Sequence, residues 1–316
     1  MAKTSQPSAC LILLLGTLPA ISAGVTRSDT PDDELSEIVV QAPEPRFVAP
    51  TRRDQIGRIW APVTINGKGP FRLVLDTGAS RSVVTSQVAE SLGIAPDPSR
   101  SVLLRGVTGT VAVPSIRVDS FAVGDVILTP ATLPIVTDAL GGAQGVLGTD
   151  GFAGMRIYID FKHDLITIAR SHGERVPAYF ASLTLERSPA NLLVTRAQIG
   201  DVRVRAIIDT GGQATIGNEA MRVALMRRHT LGAANYVIDV TTTSQEAQSY
   251  PGPPMQLGSI TIQGARITYG DMRIFEHWQL IKEPAVLIGM DVLGLLDVFI
   301  IDYRRHEIQL RPRGSH

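Results

Sequence analysis

Two acidic residues stand where a paired acid–base site could be built. Asp76 closes the run Leu73-Val74-Leu75 and is followed by Thr77-Gly78-Ala79-Ser80; Asp209 closes Ala206-Ile207-Ile208 and is followed by Thr210-Gly211-Gly212, 133 positions later. Each apolar run reads as a buried strand, so each carboxyl is expected at the rim of a core. A carboxylate there costs free energy unless it is hydrogen-bonded or paired. A lone Asp-Thr-Gly reads equally well as a turn aspartate bonding its own backbone. Chance supplies about 0.1 such tripeptides in a chain of this length, so two copies behind apolar strands call for a joint purpose. Two carboxyls held a few ångströms apart cannot both ionise and must share a proton. The ionised member can then act as general base on a water, while the protonated member polarises a carbonyl.

Other chemistries find less support. Lysine plus arginine balances aspartate plus glutamate at 30 each, so no overall field draws the chain to nucleic acid or anionic lipid. The single cysteine, Cys10, lies in an N-terminal stretch that reads as an export signal. Without that stretch no thiolate nucleophile, disulfide or cysteine metal site is available. His163, His172, His229, His277 and His306 show no metal-site spacing. Neither a glycine-rich phosphate loop nor a Ser-His-Asp set stands out, so no metal or cofactor is expected.

The elements that must position Asp76 and Asp209 repeat. Residues 1–23 hold Lys3, an apolar Ala9–Leu15 core and then Ile21-Ser22-Ala23 with small residues at the end, the pattern of a cleaved signal, with an uncleaved anchor as the rival reading. Residues 24–50 are acidic and proline-rich, expected as a disordered linker. Ile59, Ala61, Val63 and Ile65 then alternate, Asn66-Gly67 turns the chain, and Phe71, Leu73 and Leu75 lead back to Asp76, a hairpin pattern. Thr85 is placed to cap a helix ending at Gly93, and a short helix is expected after Val146-Leu147-Gly148. In the second half, alternation from Leu193 to Ile199, a Gly200-Asp201 turn and Val202–Ile208 deliver Asp209, and Asn218 caps the next helix. Leu287-Ile288-Gly289 matches Val146-Leu147-Gly148 at an offset of 141, and Ile300-Ile301-Asp302-Tyr303 matches Tyr158-Ile159-Asp160-Phe161 at 142. The order of elements is that of an internal duplication. Asp150 and Asp291, just after the glycine triplets, read as capping or preceding short helices; Asp160 and Asp302 read as turn formers.

Each half resembles a retropepsin-like aspartic protease domain of the bacterial type, and together they resemble the two-lobed pepsin-like plan. The resemblance covers nearly all of the stretch from Arg58 to Leu310. It implies a mainly β fold of two pseudo-symmetric β-barrel lobes with short helices, residues 51–172 and 173–313. It also implies catalytic Asp76 and Asp209 facing each other across one water. Thr77, Gly78, Ser80, Thr210, Gly211 and Gln213 would support the loops, Thr77 and Thr210 joining them through their hydroxyls. Gly106, Val107, Thr108 and Gly109 would form a flap over the substrate; the matching stretch around residues 240–245 has no glycine, so a single flap is expected. Ser80 is placed to bond Asp76, which would leave Asp76 ionised and Asp209 carrying the proton.

The resulting expectation is a monomeric aspartic endopeptidase, periplasmic or secreted, acting on protein or peptide in extended conformation. No nucleic acid, cofactor or membrane span after signal removal enters it. The alternative is a catalytically silent peptide-binding protein of the same fold.

Overall fold

The computed structural model describes residues 46–50, 52–53, 57–105, 110–123, 126–128, 131–137, 142–186, 188, 192–226, 234–238, 244–270 and 272–314. The expected signal, residues 1–23, and the linker up to residue 45 lie outside them. The chain is mainly β with short helices, a retropepsin-like β fold.

Two large sheets share one strand order. In the first, the path runs from Asp97–Arg105 through Thr110–Val118, Ala131–Val136, Val83–Thr85, Gly145–Leu147, Lys68–Leu75, Ile59–Ile65 and Phe121–Val123 to Val126–Leu128. In the second, it runs from Ala234–Ile238 through Ser244–Pro251, Arg266–Tyr269, Ile216–Gly217, Ala285–Ile288, Val202–Ile208, Val194–Ile199 and Met255–Leu257 to Ile260–Ile262. The hairpin turns fall where the sequence puts them. Asn66 and Gly67 both take positive φ, 49° and 71°, between strands paired up to Ile65 and Lys68. This is the backbone handedness that matches strand twist, and Asn-Gly adopts it readily.

A third sheet of six strands joins the two halves of the chain. Its order is Arg46–Pro50, Leu165–Arg170, Met155–Asp160, Leu296–Asp302, Glu307–Pro312 and Ala181–Thr184. At its centre Met155–Asp160 runs antiparallel to Leu296–Asp302, with Tyr158 opposite Ile300. These two residues are sequence matches of each other, so a local twofold relation passes through that pair. Arg46–Pro50 was expected as part of the disordered linker. Instead it pairs along Leu165–Arg170, from Arg46 opposite Ala169 to Pro50 opposite Leu165. The acidic composition upstream hid the short apolar run Phe47-Val48-Ala49, which takes the place on this edge that Ala181–Thr184 takes on the other.

The strands carrying the two aspartates are apolar on both faces, which explains runs without alternation. Leu73, Leu75, Ala206 and Ile208 enter a main core that also holds Ile159 and Ile301 from the joining sheet. Val74 faces a smaller cluster with Val83 and Val146. Ile207 faces one with Ile216 and Leu287. Fully burying such side chains contributes about 1.5–3 kcal/mol each, so the ends of these strands are firmly anchored.

Two local expectations fail. Helix Ser86–Leu92 starts after Thr85 and ends at a left-handed Gly93, but the Thr85 hydroxyl makes no cap bond. It is buried without a partner. The helix expected after Gly148 is a turn, in which Gly151 and Gly154 take φ of 103° and 72°. The matching stretch Met290–Leu293 lacks these glycines and does coil into one helical turn.

Candidate active site

Each aspartate leaves the end of its strand held by the neighbouring one. Val146 and Leu147 pair in parallel with Val74 and Leu75, and Leu287 and Ile288 with Ile207 and Ile208. The Asp76 N–H donates to Leu147 O and the Asp209 N–H to Ile288 O, both at 3.0 Å. The chain then turns back on the carboxyl. Asp76 Oδ1 accepts the N–H groups of Gly78 (2.8 Å) and Ala79 (3.0 Å). Asp209 Oδ1 accepts those of Gly211 (2.9 Å) and Gly212 (3.0 Å).

The two turns interlock. Thr77 Oγ1 donates to Ile208 O (2.7 Å) and accepts the Thr210 N–H (3.1 Å). Thr210 Oγ1 donates to Leu75 O (2.7 Å) and accepts the Thr77 N–H (3.1 Å). Both threonines are buried, at 1 % and 0 % exposure, so each hydroxyl satisfies groups that water cannot reach. The expected joining of the loops through Thr77 and Thr210 is the arrangement found.

That grip brings the carboxyls face to face. A methyl group on Gly78 would lie 2.8 Å from Cγ of Asp209, and one on Gly211 would run into the Asp76 carboxyl. Glycine is required at both places because the backbone lies against the opposite acid. The glycines of the two apolar triplets are required for a similar reason. A methyl on Gly148 would sit 2.5 Å from the Arg81 carbonyl carbon, and one on Gly289 2.7 Å from Ala214 O.

The pair is electrically unequal. Burial pushes the Asp76 carboxyl well above the ordinary carboxylate range, and the charge of Asp209 and a hydrogen bond to it push it further. Burial also raises Asp209, but the hydrogen bond from Asp76 and the N–H groups of Gly211, Gly212 and Gly78 oppose the rise. Asp209 is 6 % exposed, whereas Asp76 is partly open to solvent. Exposure alone would place the charge on the more open Asp76, whereas the hydrogen bonds to Asp209 act the other way, and the two titrate jointly with both carboxyls raised.

The assignment expected from Ser80 finds no support in the placement of its side chain. Ser80 is exposed, and the groups that hold the Asp76 carboxyl are Gly78, Ala79 and Asp209. Gln213 is exposed as well. Neither side chain belongs to the polar lining of the pair among the described residues.

Residues 61–150 match the family model described as aspartyl protease. The matched segment holds Asp76 and Val146-Leu147-Gly148, and it ends at Asp150. No curated protein matches the chain. The match supports peptidase chemistry of the aspartyl protease kind for the matched segment; Asp209 lies beyond the match, and the interlocked threonines join its turn to that of Asp76.

The flap residues Gly106, Val107, Thr108 and Gly109 lie outside the described residues. The strands on either side of them pair up to Arg105 and Thr110. A counterpart hairpin exists in the second half, paired up to Ile238 and Ser244.

Sequence reasoning missed one set of contacts. Asp150 does not cap a helix: its Oδ1 accepts both the N–H and the hydroxyl of Ser82, each at 2.7 Å. Asp291 likewise accepts the Thr215 N–H (3.0 Å) and hydroxyl (2.7 Å), besides lying in the first turn of Met290–Leu293. The signal was present, since Ser82 and Thr215 are 133 apart, the spacing of the two aspartates, and Asp150 and Asp291 are 141 apart, the spacing of the triplets. Asp302 also does more than form its turn. It accepts Arg305 N–H at 3.0 Å and is fully buried, paired with Arg156 at 3.0 Å across the joining sheet.

Proposed function

We propose that the chain is an aspartic endopeptidase in which Asp76 and Asp209 hydrolyse peptide bonds with one activated water. The observation that carries this reading is the facing pair itself: two carboxyls in contact, each cradled by two backbone N–H groups. Asp209, which gathers the larger set of hydrogen bonds, is assigned the charge in this reading and takes a proton from the water as general base. Asp76 holds the shared proton toward the scissile carbonyl and stabilises the oxyanion as it forms. Neither acid can do both jobs at once, so the pair acts as a unit.

The reading extends to the whole chain. Residues 51–172 and 173–313 form two lobes, and one chain supplies both aspartates, so the enzyme works as a monomer. The hairpins that end the two large sheets, Asp97–Arg105 with Thr110–Val118 and Ala234–Ile238 with Ser244–Pro251, suit an extended peptide, because main-chain pairing favours that conformation. The N-terminal signal pattern puts the site of action in the periplasm or outside the cell.

The test is incubation of the mature protein with a diverse peptide library, with and without a statine-type transition-state mimic. Cleavage that the mimic blocks is the expected result. Peptides that bind without being cut, across acid and neutral pH, would instead identify a silent peptide-binding protein.

A further inference from the structure

The loops that aim the two carboxyls are fastened at both ends to a single short segment each. In the first half, Asp76 N–H is held by Leu147 O (3.0 Å), and Ala79 O accepts the Thr149 N–H (2.9 Å). Six residues past Asp76, Ser82 is held by Asp150 through its N–H and its hydroxyl. Ser82 Oγ in turn accepts the Gly148 N–H at 3.0 Å. The whole turn from Asp76 to Ser82 is thus fastened onto residues 147–150.

The second half repeats the device with a different hydroxyl. Asp209 N–H is held by Ile288 O (3.0 Å), Gly212 O accepts the Met290 N–H (2.8 Å), and Gln213 O accepts the Asp291 N–H (3.0 Å). Thr215 Oγ1 donates to Asp291 Oδ1 (2.7 Å) and accepts the Gly289 N–H (3.2 Å), and Thr215 N–H donates to Asp291 Oδ2 (3.0 Å). Ser82 and Thr215 are 1 % and 0 % exposed. Buried hydroxyls in such relays have no water to replace a lost partner.

Resting on the peptidase reading, we infer that Asp150 and Asp291 are positioning residues for the reaction. Each acts through the hydroxyl of Ser82 or Thr215 to fix the loop that aims one carboxyl of the pair. The shared feature is the hydroxyl and not the side chain's bulk, because serine serves in one half and threonine in the other. Asparagine cannot replace Asp291, since its amide would turn N–H groups toward one of the two Thr215 donors.

The experiment compares hydroxyl removal with hydroxyl exchange, using a fluorogenic peptide chosen from the library screen. Thr215→Val and Ser82→Ala should lower kcat by about 10- to 100-fold, the scale of small misalignments of reacting groups. KM should stay within about threefold, because ground-state binding is untouched. Thr215→Ser and Ser82→Thr should keep kcat within about threefold of wild type. The double variant Thr215→Val with Asp291→Asn should lose no more than the worse single one, the mark of one shared interaction. Wild-type kcat in folded Thr215→Val, or equal damage from Thr215→Ser, would overturn the inference. Should Thr215→Val not fold, Thr215→Cys keeps bulk with a weaker donor, and wild-type kcat in that variant would overturn it equally. Asp209→Asn run alongside separates the two readings. If it is inactive while Thr215→Val is normal, the positioning role alone fails; if it is as active as wild type, the shared pair fails first.

Discussion

The turn after Asp76 and the turn after Asp209 are shaped by matching hydrogen bonds, yet the two carboxyls meet unequal surroundings. Both accept N–H groups two and three residues ahead, and both are gripped by the opposite threonine. The difference lies in exposure and in how many groups reach each carboxyl. Asp76 is partly open and bears the repulsion of its neighbour, while Asp209 is enclosed and gathers extra hydrogen bonds. The apolar faces behind the loops differ too. Val74, Val83 and Val146 share a small cluster with Val136 and Ala143, whereas Ile207, Ile216 and Leu287 are covered by Met272, Ile274, Phe275 and Leu280, with Trp278 packed alongside. Helix Arg273–His277 carries much of that cover, in the stretch where the second half has its extra residues. Identical motifs thus give matching hydrogen bonds in unequal surroundings.

The bluntest way to break the comparison is to make either acid an amide. Asp76→Asn and Asp209→Asn should each lower kcat on a library-selected peptide by about 1,000-fold or more, at the upper end of losses for a general acid or base. Circular dichroism should remain that of the folded protein, because asparagine Oδ1 can still accept the turn N–H groups. One variant keeping a tenth of wild-type turnover would mean that the acids do not act together.

Next comes the contact between each glycine and the opposite acid. Gly211→Ala drives a methyl into the Asp76 carboxyl, whereas Gly78→Ala meets Asp209 at 2.8 Å. Both should lose activity, Gly211→Ala more, by about 100-fold, as expected of a displaced reacting group. Steady-state kinetics that reversed the order would show that the two sides relax differently from their static spacing.

Stability should treat the halves evenly where activity does not. Thr77→Val orphans Ile208 O and the Thr210 N–H, and Thr210→Val orphans Leu75 O and the Thr77 N–H. Each orphaned buried group costs about 1–3 kcal/mol, so both variants should fall similarly in urea titration. A large difference would mean that one half tolerates water at the grip.

How much of this was legible beforehand follows from the range of the interactions. The paired hairpins, the Asn218 cap and the parallel triplets rest on local periodicity and on offsets between matching runs, and they stood in the sequence. Met221 N–H donates to Asn218 Oδ1 at 2.9 Å, as a cap should. What was not legible depends on where a side chain points after folding. Ser80 has the right type and place to bond Asp76, but its side chain faces solvent. Asp150 and Asp291 looked like caps because a carboxylate before a helix usually is one, and their partners lie 68 and 76 residues away. Arg46–Pro50 needed the far strand Leu165–Arg170 to give it a place.

A smaller effect should appear in the pH dependence of stability. Both acids hold their protons more tightly folded than unfolded. Wild-type stability therefore falls as pH rises from the ordinary carboxylate range through the raised folded values. Asp76→Asn cannot titrate at that position and removes the repulsion, so it should gain on wild type as pH rises, by on the order of 1 kcal/mol. Melting temperatures of the two proteins from acid to neutral pH would reveal it. A gap that narrowed with rising pH would contradict the raised carboxyls.

The smallest expected effect concerns Ser80 and Gln213, where the motif copies differ in sequence. A hydrogen bond from Ser80 would stabilise the ionised form of Asp76, and removing it would move the acid limb of kcat/KM upward. The carboxyl is instead held by the Gly78 and Ala79 N–H groups and by Asp209. Ser80→Ala should therefore leave the limb in place. Gln213→Ala should also leave it in place, because Asp209 is stabilised by Asp76 and by the N–H groups of Gly211, Gly212 and Gly78. A shift with Ser80→Ala alone would restore Asp76 as the charged member in the working enzyme and make Asp209 the proton donor. If both profiles match the wild type, any inequality of the pair comes from the backbone N–H groups and the contact between the two acids, and the residues that distinguish the motif copies play no part in it.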